Sequence, residues 1–71
     1  MSNEKSNLSY YGLYLKGYLR DTDDPRQDDI GFINGRADTA EKTFEEARRD
    51  GRNVDQAEEL AMSVLMEGLT D

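Results

Sequence analysis

Cysteine and histidine are both absent from the 71-residue chain. Without cysteine no disulfide can staple the fold, and without either residue the thiolate and imidazole metal sites are excluded. Long apolar runs are missing too. Nothing approaches the roughly 20 consecutive apolar residues of a membrane-spanning helix. Neither GxxxxGK nor GxGxxG occurs, which removes the glycine-rich phosphate loops. The loss of imidazole and thiol leaves only carboxylates, Lys, Tyr and Ser/Thr as acids, bases or nucleophiles. A chain this short also has little room for a pocket of the usual few hundred cubic ångströms. The expectation is a protein that is not an enzyme, uses no cofactor, and takes no small-molecule substrate.

Positive charge is in deficit. Nine basic residues face 16 acidic ones, for a net charge of −7. Such a surface repels nucleic-acid phosphates and anionic lipid, so direct nucleic-acid binding and membrane association are not expected. It suits a basic protein partner, or is simply a solvated face. Residues 1–7 are polar and lack the apolar core of a signal peptide, so they read as a frayed tail and the cytoplasm is the expected compartment. Asn7-Leu8-Ser9 matches the glycosylation sequon and is read as chance in a chain with no export signal.

What is present is concentrated in one stretch. Residues 8–19 hold all four tyrosines and four leucines. Leu8, Tyr11, Leu15 and Leu19 recur at spacings of three and four, with Tyr14 and Tyr18 widening the face, which predicts an amphipathic helix over 8–21. Ser6 or Asn7 is its expected N-cap. Gly12 and Gly17 each cost a helix about 1 kcal/mol relative to alanine, a cost that close approach of another backbone would offset. Asp21-Thr22-Asp23-Asp24-Pro25 stops this helix, and Pro25 suits the first turn of the next, with Asp24 as cap and Asp28 and Asp29 near its positive end.

The second helix is predicted over 26–50. Ile30, Ile33, Ala37, Ala40, Phe44 and Ala47 form a narrow seam, anchored by Ile33 and Phe44. Gly31 and Gly35 weaken its first half, so it bends or begins late. Gly51 fits the left-handed position after a helix end. The third helix, over 54–67, buries Ala57, Leu60, Ala61, Val64 and Leu65. Asn53 with Gln56, or Asp55 with Glu58, can form a capping box, with Asn53 favoured. Gly68 ends it, and Leu69 folds back over the last turn. Short connectors make consecutive helices antiparallel. The fold class is therefore all-α: one domain, residues 8–71, folded as a small three-helix bundle.

Each candidate site has a plain structural alternative. The acid cluster Asp21, Asp23, Asp24, Asp28, Asp29 fails the EF-hand pattern, since Arg26 stands where the loop needs glycine and Phe32 where it needs a bidentate glutamate. Capping and turn formation account for it. An aromatic surface for stacking bases needs a basic groove, and Lys16 and Arg20 are too few to make one. Tyr11, Tyr14 and Tyr18 are assigned to the core with hydroxyls at its rim. Gly31-x-x-x-Gly35 is a weak helix-contact signal. Tyr10 and Leu13 lie off the core stripe and, with Gly17 and Tyr14, make up the expected partner surface.

Four segments taken together resemble a known family. They are Leu8-Ser9-Tyr10-Tyr11-x-Leu13-Tyr14-Leu15-x-x-Tyr18-Leu19-Arg20, Phe32-Ile33-x-x-Arg36-Ala37-Asp38, Glu45-x-Ala47-Arg48, and Ala57-x-Glu59-Leu60-Ala61-Met62-x-Val64-Leu65-x-x-Gly68-Leu69. The family is one of small uncharacterised proteins of Bacteroides-type bacteria, often linked to conjugative or mobile elements and carrying a domain of unknown function. The resemblance runs from Leu8 to Leu69. It implies an all-helical fold, a bacterial cytosolic setting and relatives that continue past Gly68-Leu69, and it brings no catalytic or binding residues. The combined expectation is a protein-interaction module acting on a protein partner or by self-association as a homodimer. The alternative is a nucleic-acid-linked regulator of the antitoxin or DNA-mimic kind.

Overall fold

The computed structural model describes residues 9–69. Their order is α1 (Tyr10–Asp21), a 3₁₀ turn (Pro25–Asp28), α2 (Ile30–Arg49) and α3 (Val54–Leu65), with no strand among the described residues. The architecture is the expected all-α three-helix bundle. Each helix begins where a side chain satisfies an orphan backbone N–H. Ser9 Oγ accepts from the Gly12 N–H at 3.3 Å, which makes Ser9 the cap of α1. Ser6 and Asn7, the expected caps, lie outside the described residues, as does Leu8. Asn53 Oδ1 accepts from the Gln56 N–H at 2.8 Å, and Gln56 Oε1 accepts from the Asn53 N–H at 3.2 Å. This capping box settles the start of α3 on Asn53 rather than Asp55.

The second helix begins at Ile30, four residues after the expected position. Asp24 caps a separate tight turn instead, with Oδ1 accepting from the Arg26 N–H at 2.9 Å. Bonds from the Gln27 N–H to Asp24 O (3.0 Å) and from the Asp29 N–H to Arg26 O (2.9 Å) have the i→i+3 pattern of a 3₁₀ helix. Pro25 occupies the first turn of that element. Asp29 then starts the α-helix by accepting from the Phe32 N–H at 3.0 Å. It is the cap itself, not a first-turn residue.

The helix ends use left-handed residues. Gly51 has φ +100°, and the Arg52 N–H donates to Ala47 O at 3.0 Å, closing α2 in the Schellman manner. Asp23 (φ +56°) plays the same part after α1, where the Asp24 N–H donates to Leu19 O at 2.8 Å. That helix is closed before Pro25 is reached. Gly68 follows α3 with φ +79°, and Leu69 packs back on the core as expected.

One apolar cluster joins the helices: Tyr11, Leu15 and Leu19 from α1, Ile33, Ala37 and Ala40 from α2, and Ala61 and Leu65 from α3. Its fully buried large side chains are Leu15, Leu19, Ile33 and Leu65. The α2–α3 pairing is by far the most extensive. α1 rests mainly on α2 and the 3₁₀ turn and touches α3 little. Arg36, early in α2, reaches the end of α3, so these two helices form an antiparallel hairpin. The Cα envelope is 16 Å in its thinnest direction, close to the thickness of two helix layers.

The expected core is only partly covered. At 1.5 Å per residue α1 spans about 18 Å and α2 about 30 Å, so among the described residues α1 covers only part of the length of α2. Outside the main cluster the buried apolar side chains are the small ones of Ala47 and Ala57. Leu60, expected in the core, is 40% exposed, and Ile30 at the start of α2 is 45% exposed. Phe44, the expected anchor, is only half-buried at the cluster's edge. The Gly31–Gly35 contact is also absent. A Cβ built at Gly35 would meet nothing within 4 Å, and one at Gly31 only the nearby Asp29 carboxylate.

Candidate partner surface

α1 carries two faces. Tyr11, Leu15 and Leu19 point inward, and rotation about the helix axis brings Tyr10, Leu13, Tyr14 and Gly17 together on an adjoining outer face. Tyr10 is 62% exposed and Leu13 59%. Tyr14, expected to widen the core, is 47% exposed and belongs to the outer face instead. Its place on the wheel, between Tyr10 and Tyr18, lies beyond the edge of the α2 contact.

Gly17 forms the low point of this face. Leu13, Tyr14, Gly17, Tyr18 and Asp21 line an open groove of about 320 Å³. A Cβ at Gly17 would meet nothing within 4 Å, so no internal backbone approach requires this glycine. Among the lining residues it is the one that puts no side chain into the groove. Two contacts fix tyrosines of this helix. The Tyr18 hydroxyl donates to Leu69 O at 2.7 Å, tying α1 to the segment after α3. The Tyr10 ring lies edge-on to buried Tyr11, 5.3 Å between centroids at 73°. Burial raises the Tyr11 hydroxyl pKa, helped by the carboxylate of Glu58 and further by Tyr10 and Glu41, so this phenol stays neutral.

The four residues singled out from the sequence thus lie on one continuous surface. Two more, Tyr18 and Asp21, line the same groove; their sequence signals had pointed to core and helix stop. Asp21 supplies a carboxylate at one end of an otherwise apolar and aromatic strip. Lys16 does not offset it, because its Nζ donates to Gln27 O at 3.0 Å and is tied to the 3₁₀ turn.

Two other polar clusters are structural. Asp24 pairs with Arg26 through Oδ2 at 2.6 Å and Oδ1 at 2.9 Å. These bonds, then the bond from the Arg26 N–H, hold its carboxyl down at about 2. Phe32 has the guanidinium of Arg26 at 5.3 Å and that of Arg36 at 5.1 Å from its ring centre. This arrangement packs the 3₁₀ turn against α2. A second shallow recess, on α3, is lined by Asp55, Glu58, Glu59 and Met62. Among the described residues no group of three His, Cys, Asp or Glu side chains is arranged to hold a metal ion.

Residues 3–70 match the family model of a domain of unknown function, DUF1896. No curated protein matches the chain, and no solved structure does.

Proposed function

The chain belongs to the DUF1896 family, and from that premise and the geometry of α1 we propose a non-catalytic protein-interaction module that binds through the outer face of its first helix. One observation carries this reading. Tyr10, Leu13 and Tyr14 are three large apolar side chains, each about half exposed or more, contiguous beside a groove. Scattered exposed apolar residues need no explanation, but an aromatic-rich contiguous strip is the composition of an interface centre. The sequence resemblance supports setting this binding in the cytosol of a bacterium, within an accessory or mobile-element system. A photo-crosslinking amino acid at Leu13, in cells, tests the reading. Discrete crosslinked species are expected from Leu13 and not from the exposed α2 position Glu45. An identical product pattern from the two positions would overturn it.

The net charge of −7 favours one competing role, a regulator that mimics nucleic acid and occupies a basic DNA-binding protein. Such binding must weaken steeply as salt rises. Salt-insensitive affinity for the captured partner rules that role out.

A further inference from the structure

Resting on the reading of α1 as the binding surface, we propose that its occupant is the same face of a second copy, with the two α1 helices antiparallel and each Tyr14 ring seated over the partner's Gly17. Tyr10, Tyr14, Gly17 and Asp21 are spaced by four, three and four residues. That is the alternation of the two inward positions of a heptad, the pattern that keeps a seam on one helix facing another. In an antiparallel pair about a two-fold axis, facing positions have numbers that add to a constant. Placing Tyr14 opposite the partner's Gly17 fixes this constant, and the same register places Tyr10 opposite the partner's Asp21.

Both pairings are chemically productive, and the two-fold axis makes each occur twice. The large Tyr14 ring fills the groove that Gly17 leaves open. The Tyr10 hydroxyl donates to the Asp21 carboxylate, satisfying the one charged group in the strip. Leu13 lies on the same flank of the helix as Arg20, seven residues on, and the partner's Arg20 stem covers it with the charge still in water. A parallel pair does none of this: it sets Asp21 against Asp21 and leaves two glycines facing across a void.

The strip is short, so the interface is smaller than the roughly 1,200–2,000 Å² of a standard complex, and the dimer is weak and concentration-dependent. Each copy carries −7, so the subunits repel at long range. Salt screens that repulsion and strengthens the dimer, opposite in sign to its effect on a basic partner.

Sedimentation equilibrium over a concentration series, at low and at high salt, tests the proposal. The expected result is reversible dimerisation that tightens with salt, with Gly17→Leu weakening it by roughly tenfold or more. Gly17→Leu is a clean probe, because a Cβ there meets nothing within 4 Å and leucine is a better helix former than glycine. Circular dichroism confirms that the variant is folded. The chain has no cysteine, so the register is read directly. A Tyr14→Cys chain mixed with a Gly17→Cys chain should form an intermolecular disulfide, and Tyr10→Cys alone should not. A monomer at every concentration, wild-type dimerisation by Gly17→Leu, or equal crosslinking of Tyr10→Cys each overturns the self-pairing. If Leu13 captures a different protein while the chain stays monomeric, self-pairing fails and the interaction module stands. Absence of both dimer and capture defeats both.

Discussion

The guanidinium of Arg36 sits where the backbone of α3 runs out of helical partners. Its Nη1 donates to Glu67 O at 2.8 Å and Leu65 O at 3.1 Å, with Val64 O farther off at 3.5 Å. The end of α3 has no basic residue of its own in its last turn, so a cation from α2 takes the part that a local Lys or Arg would play against the helix dipole. The guanidinium plane also rests on Phe32. Arg36→Met should therefore destabilise the fold by about 1.5–3 kcal/mol, and Arg36→Lys should recover only part, since an ammonium lacks the flat guanidinium that lies over the Phe32 ring. Urea denaturation reads both, and a loss below about 0.5 kcal/mol for Met, the usual scatter of surface substitutions, would mean that water serves those carbonyls equally well. Asp24 has a defined pH window. Its folded carboxyl titrates at about 2, below the ordinary value of 3.8. Its contribution is thus fully present above about pH 4 and is lost as pH falls through 2.

At the scale of elements, the chain stops its helices with backbone geometry more than with proline. Gly51 at φ +100° lets the Arg52 N–H reach back to Ala47 O, and this turn aims α3 along α2. Nothing lies near a Cβ at that position, so the whole cost of a side chain there is conformational. Gly51→Ala should cost about 1 kcal/mol, the left-handed penalty less the reduced entropy of the unfolded chain. A thermal melt unchanged from wild type would place the turn outside the left-handed region. α1 illustrates the opposite economy. Its glycine at position 17 is required neither by φ nor by packing among the described residues.

For the whole molecule, four large residues form the fully buried centre: Leu15, Leu19, Ile33 and Leu65. A core this small has no reserve. Leu15→Ala should cost about 2–5 kcal/mol, a large share of the stability of any domain this size. Leu60→Ala should cost under about 1 kcal/mol, because its side chain keeps much of its contact with water. Phe44→Ala falls between, since its ring is half-buried against the edge of the apolar cluster. Equal losses for Leu15 and Leu60 in guanidinium denaturation would mean that Leu60 is covered in solution.

The sequence by itself determined what is local or periodic. Three helices, the Asn53 capping box, the glycine stop at Gly51 and the inward Ile33–Ala37–Ala40 seam all follow from side-chain chemistry acting within one turn or from the period of 3.6 residues. The off-stripe position of Tyr10 and Leu13 was legible for the same reason. Only the tertiary structure decided how far each seam is covered. Phe44 satisfies the helical period of α2, yet a 12-residue α1 cannot shield a 20-residue α2 along its whole length, and Leu60 lies off the Ala57–Ala61–Leu65 stripe that α3 buries. The Arg36 clamp, the Tyr18–Leu69 bond and the groove over Gly17 join residues far apart in the chain or depend on what does not fill a space. Periodicity specifies which way a side chain points, and only the packed neighbours specify what it meets there.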